Sequence, residues 1–443
     1  MNHQRTFILI GLLCFLAAAG IRINNNFRFA PACGYDAGGH LSYIYQLKAG
    51  WGIPLASEGW STFHPPLYYF IMAGLWKHVG PLFPWPMHIL FRLISTLLNL
   101  GMAVLAVITM KLIWPDDSFP ALLGACFILF VPLHIYTSSM IGNEQMAAFL
   151  TSLGLVLLVL YYRKPDLWIH LAAGMGVICG LALLAKYTGA LLLLTIIICL
   201  ISKVIFDAGK RRKHIFALAA VLIGCLLVCG GFYARNIYLF GHPFALSQDY
   251  PCVAEVMIKQ PPGRRRWVDF FGFDFTIFQD PIIRKVREGV EYSRSRYVWS
   301  LVYSNFWFES FSHFFLVHCD PWRQQLGKLL LVLGIFPTVL LGVEAGRESV
   351  ATLCHKLDTP MFPLVVLLFL NIAAFISFNL KTPHFSAGKA SYFLASGLPL
   401  AIFMSRGMQQ WLLRRGKIGK AAGILLLAAI FGISFTTFFL THI

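Results

Sequence analysis

Apolar runs close to twenty residues long recur from one end of this chain to the other, and no other feature restricts the fold as much. A bilayer core needs about 20 apolar residues in helical form to cross it. Eleven runs approach that length: residues 6–22, 87–112, 119–137, 144–162, 167–184, 187–206, 214–234, 326–344, 360–379, 390–405 and 421–441. They are continuous and rich in Leu, Ile and Ala, without the apolar–polar alternation of an outer-membrane barrel strand. Only 12% of the 443 residues are charged, against roughly 25% in a soluble domain. The expected fold is an all-α polytopic membrane protein with about 11 transmembrane helices, a single integral domain over residues 1–443. The first run has a second reading as a cleaved signal peptide, because Ala17-Ala18-Ala19 follows a short apolar core.

The net charge of +17 would suit nucleic acid, but its placement argues against that partner. Sixteen of the 36 Lys and Arg residues fall at the N-terminus and in alternate loops, including "KRRKH" (Lys210–His214) and "RRGKIGK" (Arg414–Lys420). By the positive-inside rule these mark the cytoplasmic side. The N-terminus is then inside, the C-terminus outside, and the two long loops, 23–86 and 235–325, are external. The basic inner loops serve topology and contact with anionic membrane lipids. Most of the ten cysteines lie in spans and read as small packing residues. Cys33, Cys252 and Cys319 are external, where one pair could form a disulfide.

The two external loops are unlike linkers. The first carries Trp51, Trp60, Phe63, Tyr68, Tyr69, Trp76 and Trp85, residue types favoured at a membrane interface. Asp36–Gly50 fits a short amphipathic helix with Asp36, His40, Tyr43 and Leu47 on one face. Gly38-Gly39 weakens it, and Pro65-Pro66 keeps helix from running through His64. The second loop holds "RKVREGVEYSRSRY" (Arg284–Tyr297) and "YSNFWFESFSHFF" (Tyr303–Phe315). It is expected to form one or two interfacial helices.

Few ionisable groups lie near the external membrane face. Asp36, His40 and His64 are in the first loop, and Glu144 opens the fourth run just after Asn143. A plain helix-dipole role suits Glu144 and an N-cap role suits Asn143. Lys186 and Tyr187 separate two apolar runs. A lysine there either snorkels or serves a site. Arg235 follows the seventh run, and Lys381, His384 and Lys389 share a late external turn. Arg suits bidentate phosphate binding. Acids, histidines and cations thus converge on one membrane face. That set suits attack by a neutral nucleophile on a lipid-borne substrate with an anionic leaving group, with a base and cations to assist.

At these residues the chain resembles the multi-pass glycosyltransferases of the GT-C fold, in the branch of protein O-mannosyltransferases and the lipid A aminoarabinose transferase. Five blocks carry the resemblance in order: "YDAGGHLSYIYQLKAG", "HPPLYY" at His64–Tyr69, "NEQMAAFL" from Asn143, "LLAKYTG" from Leu183 and "RNIYLFGHP" from Arg235. A weaker sixth is "GKASYFLASGLPL" from Gly388. The resemblance implies a polyprenyl-phosphate-sugar donor, an external acceptor (glycan, lipid or protein), inversion at the anomeric carbon and Asp36 as general base. The mechanism expected from these residues adds His40 orienting Asp36 or the acceptor, Glu144 contacting the acceptor or the first loop, and Lys186, Arg235 and Lys389 at the donor phosphate. Tyr43, His64, Tyr68, Tyr187 and Asn143 would shape the sugar and acceptor pocket. The scheme requires no metal or cofactor, with a divalent metal on Asp36, His40 and Glu144 as the alternative. Many relatives have Asp-Glu where this chain has Asp36-Ala37, and Arg before the Tyr of the last block where it has Ser391. The compact chain suggests a bacterial inner membrane. The alternatives are a lipid-linked-sugar transporter or flippase, and an oligosaccharide ligase using a diphosphate-linked donor.

Overall fold

The computed structural model describes residues 2–31, 33–246, 265–287, 290–312, 314, 320–355, 357–382 and 384–440. Cys252 and Cys319 lie outside these residues, as does Arg264. Among the described residues nine helices are long and apolar enough to cross a membrane, and ten if one bent pair counts as a single span. The expected helical membrane architecture is therefore the observed one. Its outer surface keeps large apolar side chains exposed, Leu226 at 68% and Leu227 at 81% among them, the surface a lipid-facing helix needs.

The spanning helices are α1 (Asn2–Arg28), α4 (Met87–Ile113), α7 (Glu144–Arg163), α8 (Trp168–Ala185), α9 (Gly189–Phe206), α10 (Arg211–Phe240), α12 (Pro321–Cys354), α13 (Phe362–Lys381) and α15 (Lys417–Phe438). Two expected spans are not simple helices. The third breaks into α5 (Ser118–Phe130) and α6 (Pro132–Ser138), which are bent by 51°. Pro132 lacks an N–H, so the Ile128 carbonyl loses its helical partner. The guanidinium of Arg22 donates to that carbonyl at 3.3 Å instead. The tenth begins with a 3-10 turn over Ala390–Ser396 and continues as the 17-residue α14 (Gly397–Leu413). Its regular helix starts only at Gly397, and Lys389 and Ser391 before it line a cavity.

One face of the bundle carries both long loops. The first loop forms α2 (Ala37–Lys48) and α3 (Leu67–His78), with α3 starting directly after Pro66. The weak Gly38-Gly39 step is tolerated because α2 lies hard against Ser61. A Cβ at Gly39 would sit 2.4 Å from the Ser61 hydroxyl oxygen. The second loop forms α11 (Val298–Trp307) as expected. It also forms an antiparallel hairpin, β1 (Arg284–Arg287) with β2 (Val290–Ser293), that the mixed-charge sequence did not announce.

Candidate active site on the loop face

Asp36 sits at the start of α2 with φ 55 and ψ 22, a left-handed backbone for a non-glycine residue. Such conformations are held by their surroundings and concentrate at functional sites. From there its carboxylate opens into a cavity of about 420 Å³. Tyr35, Phe63, His64, Glu144, Lys186, Tyr187 and Lys389 share the polar end of this cavity. Its far walls are apolar, built from Leu191 on α9 and from Ala374, Phe375 and Phe378 on α13. A second cavity of about 110 Å³ meets the first at Asp36, Phe63, His64 and Lys389, and is lined further by Trp60, Ser61, Thr382, His384 and Ser386.

The Trp60 indole donates to the Asp36 carboxylate at 2.8 Å. The group is reached by solvent through the cavity yet ringed by protein atoms. Burial alone would raise its pKa. The ammonium of Lys389 overcomes that, with His40 and the Trp60 hydrogen bond helping, and the carboxyl is held below its usual range. His40 is buried, and burial lowers its pKa against the pull of Glu144 and Asp36. Because His40 is therefore neutral near pH 7, Lys389 is the cation that matters to Asp36. His64 is pushed further down, by burial and then by Lys186. His384 falls to about 4 from burial and the nearness of Lys389.

Lys186 forms an ion pair with Glu144 at 2.6 Å. The bare Cα of Gly142 makes room for this arrangement. A Cβ there would lie 2.3 Å from Glu144 Oε2 and 3.3 Å from His40 Nε2. His40 Nδ1 pairs with the Tyr69 hydroxyl at 2.7 Å, and the His40 and His64 rings stack at 5.6 Å. His64 Nδ1 is buried without a partner among the described residues. Lys389 lies over the Tyr35 ring at 4.3 Å. The Tyr187 hydroxyl is 2.9 Å from the Phe63 carbonyl and 3.2 Å from that of Ala245, tying both loops to the rim.

The structure thus gathers Asp36, His64, Glu144, Lys186, Tyr187 and Lys389 around one cavity, with His40 directly behind. Four sequence-derived positions are elsewhere. Arg235 does not line the cavity, and its guanidinium donates to the carbonyls of Ile53 and Pro54 at 2.9 and 3.2 Å. Asn143 makes no side-chain cap. It donates to the Ala185 carbonyl at 2.8 Å and pins the start of α7 to the end of α8 beside Lys186. Tyr43 stacks on Tyr69 at 3.9 Å, behind the site, and Tyr68 is buried beside it. Sequence reasoning missed Trp60, Tyr35 and Phe63 as site residues. Trp60 was visible only as one of many interfacial aromatics. No three His, Cys, Asp or Glu side chains among the described residues converge as a metal cradle, and Glu144 is already engaged by Lys186.

Residues 62–244 match the family model of dolichyl-phosphate-mannose-protein mannosyltransferases. No curated protein matches the sequence. Among solved structures the chain is similar to ArnT from Cupriavidus metallidurans bound to undecaprenyl phosphate, at 14% identity and a TM-score of 0.54, covering 97% of this chain and 63% of that one. It is also similar to the oligosaccharyltransferase AglB from Archaeoglobus fulgidus in complex with an inhibitory peptide and a dolichol-phosphate, at 13% identity and a TM-score of 0.55, covering 97% and 55%. An Archaeoglobus fulgidus oligosaccharyltransferase complex with Zn and sulfate gives 13% identity and a TM-score of 0.58, covering 98% and 53%. The chain spans somewhat over half the length of these proteins. Its fold is that of the GT-C membrane glycosyltransferases.

Proposed function

We propose that this membrane protein is an inverting glycosyltransferase. It moves a sugar from a polyprenyl-phosphate donor to a hydroxyl-bearing acceptor at the loop face, which is the external face. The observation that carries the reading is one cavity in which a carboxylate and a buried lysine face each other at the head of an apolar wall. The prenyl tail lies along Leu191, Ala374 and Phe375, with the sugar phosphate at Lys389 and Lys186. The acceptor approaches through the smaller cavity beside Trp60 and His384. Asp36, ionised at neutral pH, accepts the proton of the acceptor hydroxyl as that oxygen attacks C1. The C1–oxygen bond to phosphate breaks, and polyprenyl phosphate leaves with the bonding pair. Lys389 then has two effects, one on the leaving phosphate and one on the Asp36 carboxyl. General-base catalysis of this kind contributes roughly 10²–10⁴-fold, with positioning and charge stabilisation adding to it. His40, neutral and held by Tyr69, orients the base.

The test is sugar release from a panel of polyprenyl-phosphate sugars by wild type and Asp36→Asn in lipid nanodiscs, with the anomeric configuration of the product read by NMR. Release by wild type alone, with inversion, supports the reading. Donor movement across sealed liposomes without release makes the chain a transporter. Release from diphosphate-linked donors alone makes it an oligosaccharide ligase.

A further inference from the structure

Asp36 and Lys389 come from opposite ends of the chain, and a buried side chain of the second loop joins their neighbours. Asn305 on α11 is fully buried. Its Oδ1 accepts the main-chain N–H of Ala390, the residue after Lys389, at 2.7 Å. A main-chain N–H only donates, so this bond fixes which end of the amide is the carbonyl. Nδ2 must then donate, and it does so to the hydroxyl of Tyr35, the residue before Asp36, at 2.8 Å. Having accepted that bond, the Tyr35 hydroxyl donates its own proton to Glu309 Oε1 at 3.1 Å. Glu309 Oε2 accepts the Phe314 N–H at 2.9 Å. The Tyr136 hydroxyl donates to the Asn305 carbonyl at 2.8 Å and holds α11 itself. The Asn305 amide therefore has one permitted orientation.

The left-handed Asp36 needs such support. On its far side the backbone is fixed by the first turn of α2, where the His40 N–H donates to the Asp36 carbonyl at 3.0 Å. On its near side it follows Tyr35, which Asn305 and Glu309 grip and whose ring lies under Lys389. We infer that Asn305, with Tyr35 and Glu309, is a positioning clamp that sets Asp36 against Lys389, so that the second loop governs the base made by the first. This rests on Asp36 being the base.

The groups facing Asp36 are Lys389, His384 and Tyr392 from the late turns, His40 from α2, His64 and Trp60 from the first loop, Tyr69 from α3, and Glu144 from α7. Loosening the clamp moves Asp36 and Lys389 apart and leaves His40, His64, Trp60 and Glu144 in place. The test measures kcat/KM against pH with a polyprenyl-phosphate-sugar donor for the full chain in nanodiscs, as wild type, Asn305→Ala, Tyr35→Phe and Asp36→Asn. Asn305→Ala is expected to lose roughly 10- to 100-fold at neutral pH through misplacement of the base, and its acid limb moves upward by about one pH unit as the lysine recedes. Tyr35→Phe keeps the ring under Lys389 and decides the matter if Asn305→Ala does not fold; a smaller upward shift is expected. Lower melting temperatures with a wild-type acid limb and wild-type turnover per folded molecule would overturn the clamp and leave an ordinary buried network. A wild type that releases no sugar, or an active Asp36→Asn, would instead overturn the base and the clamp together.

Discussion

Two polar clusters are buried in this apolar chain, and they differ in what their hydrogen-bonding groups face. The inner cluster surrounds Arg22. Its guanidinium donates to Asn99 Oδ1 at 3.1 Å and to the carbonyls of Ala18 and Ile128 at 3.1 and 3.3 Å. Asn99 continues to His134 at 3.1 Å and to Gln145 at 3.2 Å, and Gln145 donates to Thr137 at 2.8 Å. The outer cluster is the opposite. Asp36 accepts one hydrogen bond, from Trp60. Buried His64 Nδ1 has no partner among the described residues, and Lys389 offers its ammonium to an aromatic face. Leaving buried polar groups unmatched is costly, and the outer cluster leaves its own facing a cavity. The inner cluster holds the broken α5–α6 element in place, and the outer cluster opens to the cavity.

The comparison breaks first at Asp36. Asp36→Asn is expected to lower donor turnover by roughly 10²–10⁴-fold without lowering the melting temperature; retained turnover would remove the carboxylate from the chemistry. Lys389→Ala comes next, at roughly 10²-fold in kcat. The acid limb of kcat/KM should also rise. In wild type that limb lies below the ordinary Asp value of about 3.9, because Lys389 outweighs burial. Without the lysine, burial and Glu144 dominate and the base protonates at higher pH. An unmoved limb would mean that the lysine meets only the phosphate.

Arg22→Met sharpens the contrast from the other side. It leaves the Ile128 carbonyl and Asn99 Oδ1 unmatched, at about 1–3 kcal/mol each. The melting temperature should fall by several degrees in a thermal-unfolding scan, with turnover per folded molecule within about twofold of wild type. Arg235→Ala should have a smaller effect still, read as a modest rise in donor KM from a loosened Ile53–Pro54 segment. A loss as large as that of Lys389→Ala would put the phosphate at Arg235.

Much of this was legible in the chain. Span positions follow from apolar length, and the four-residue spacing brought Asp36 and His40 together, although Asp36 stands in left-handed backbone just before α2 rather than on its face. Local breaks were harder. Residues 119–137 are apolar apart from His134, Tyr136 and Thr137, so their hydropathy does not reveal the bend at Pro132, and Lys389 and Ser391 look like the edge of a span although they line the cavity. Long-range partners left no periodic trace. The Glu144–Lys186 pair, the Trp60–Asp36 bond and the bridge from Asn305 to Tyr35 each join distant segments. Arg235 misled because an arginine at a helix end suits a phosphate and two loop carbonyls equally well.

The most direct test of the account sets Asp36→Asn beside Arg22→Met in one preparation, measuring sugar release per folded molecule and thermal unfolding together. An inactive, stable Asp36→Asn and an active, less stable Arg22→Met are expected. An active Asp36→Asn, or an Arg22→Met that keeps its stability and loses its turnover, would contradict the assignment of one cluster to chemistry and the other to the fold.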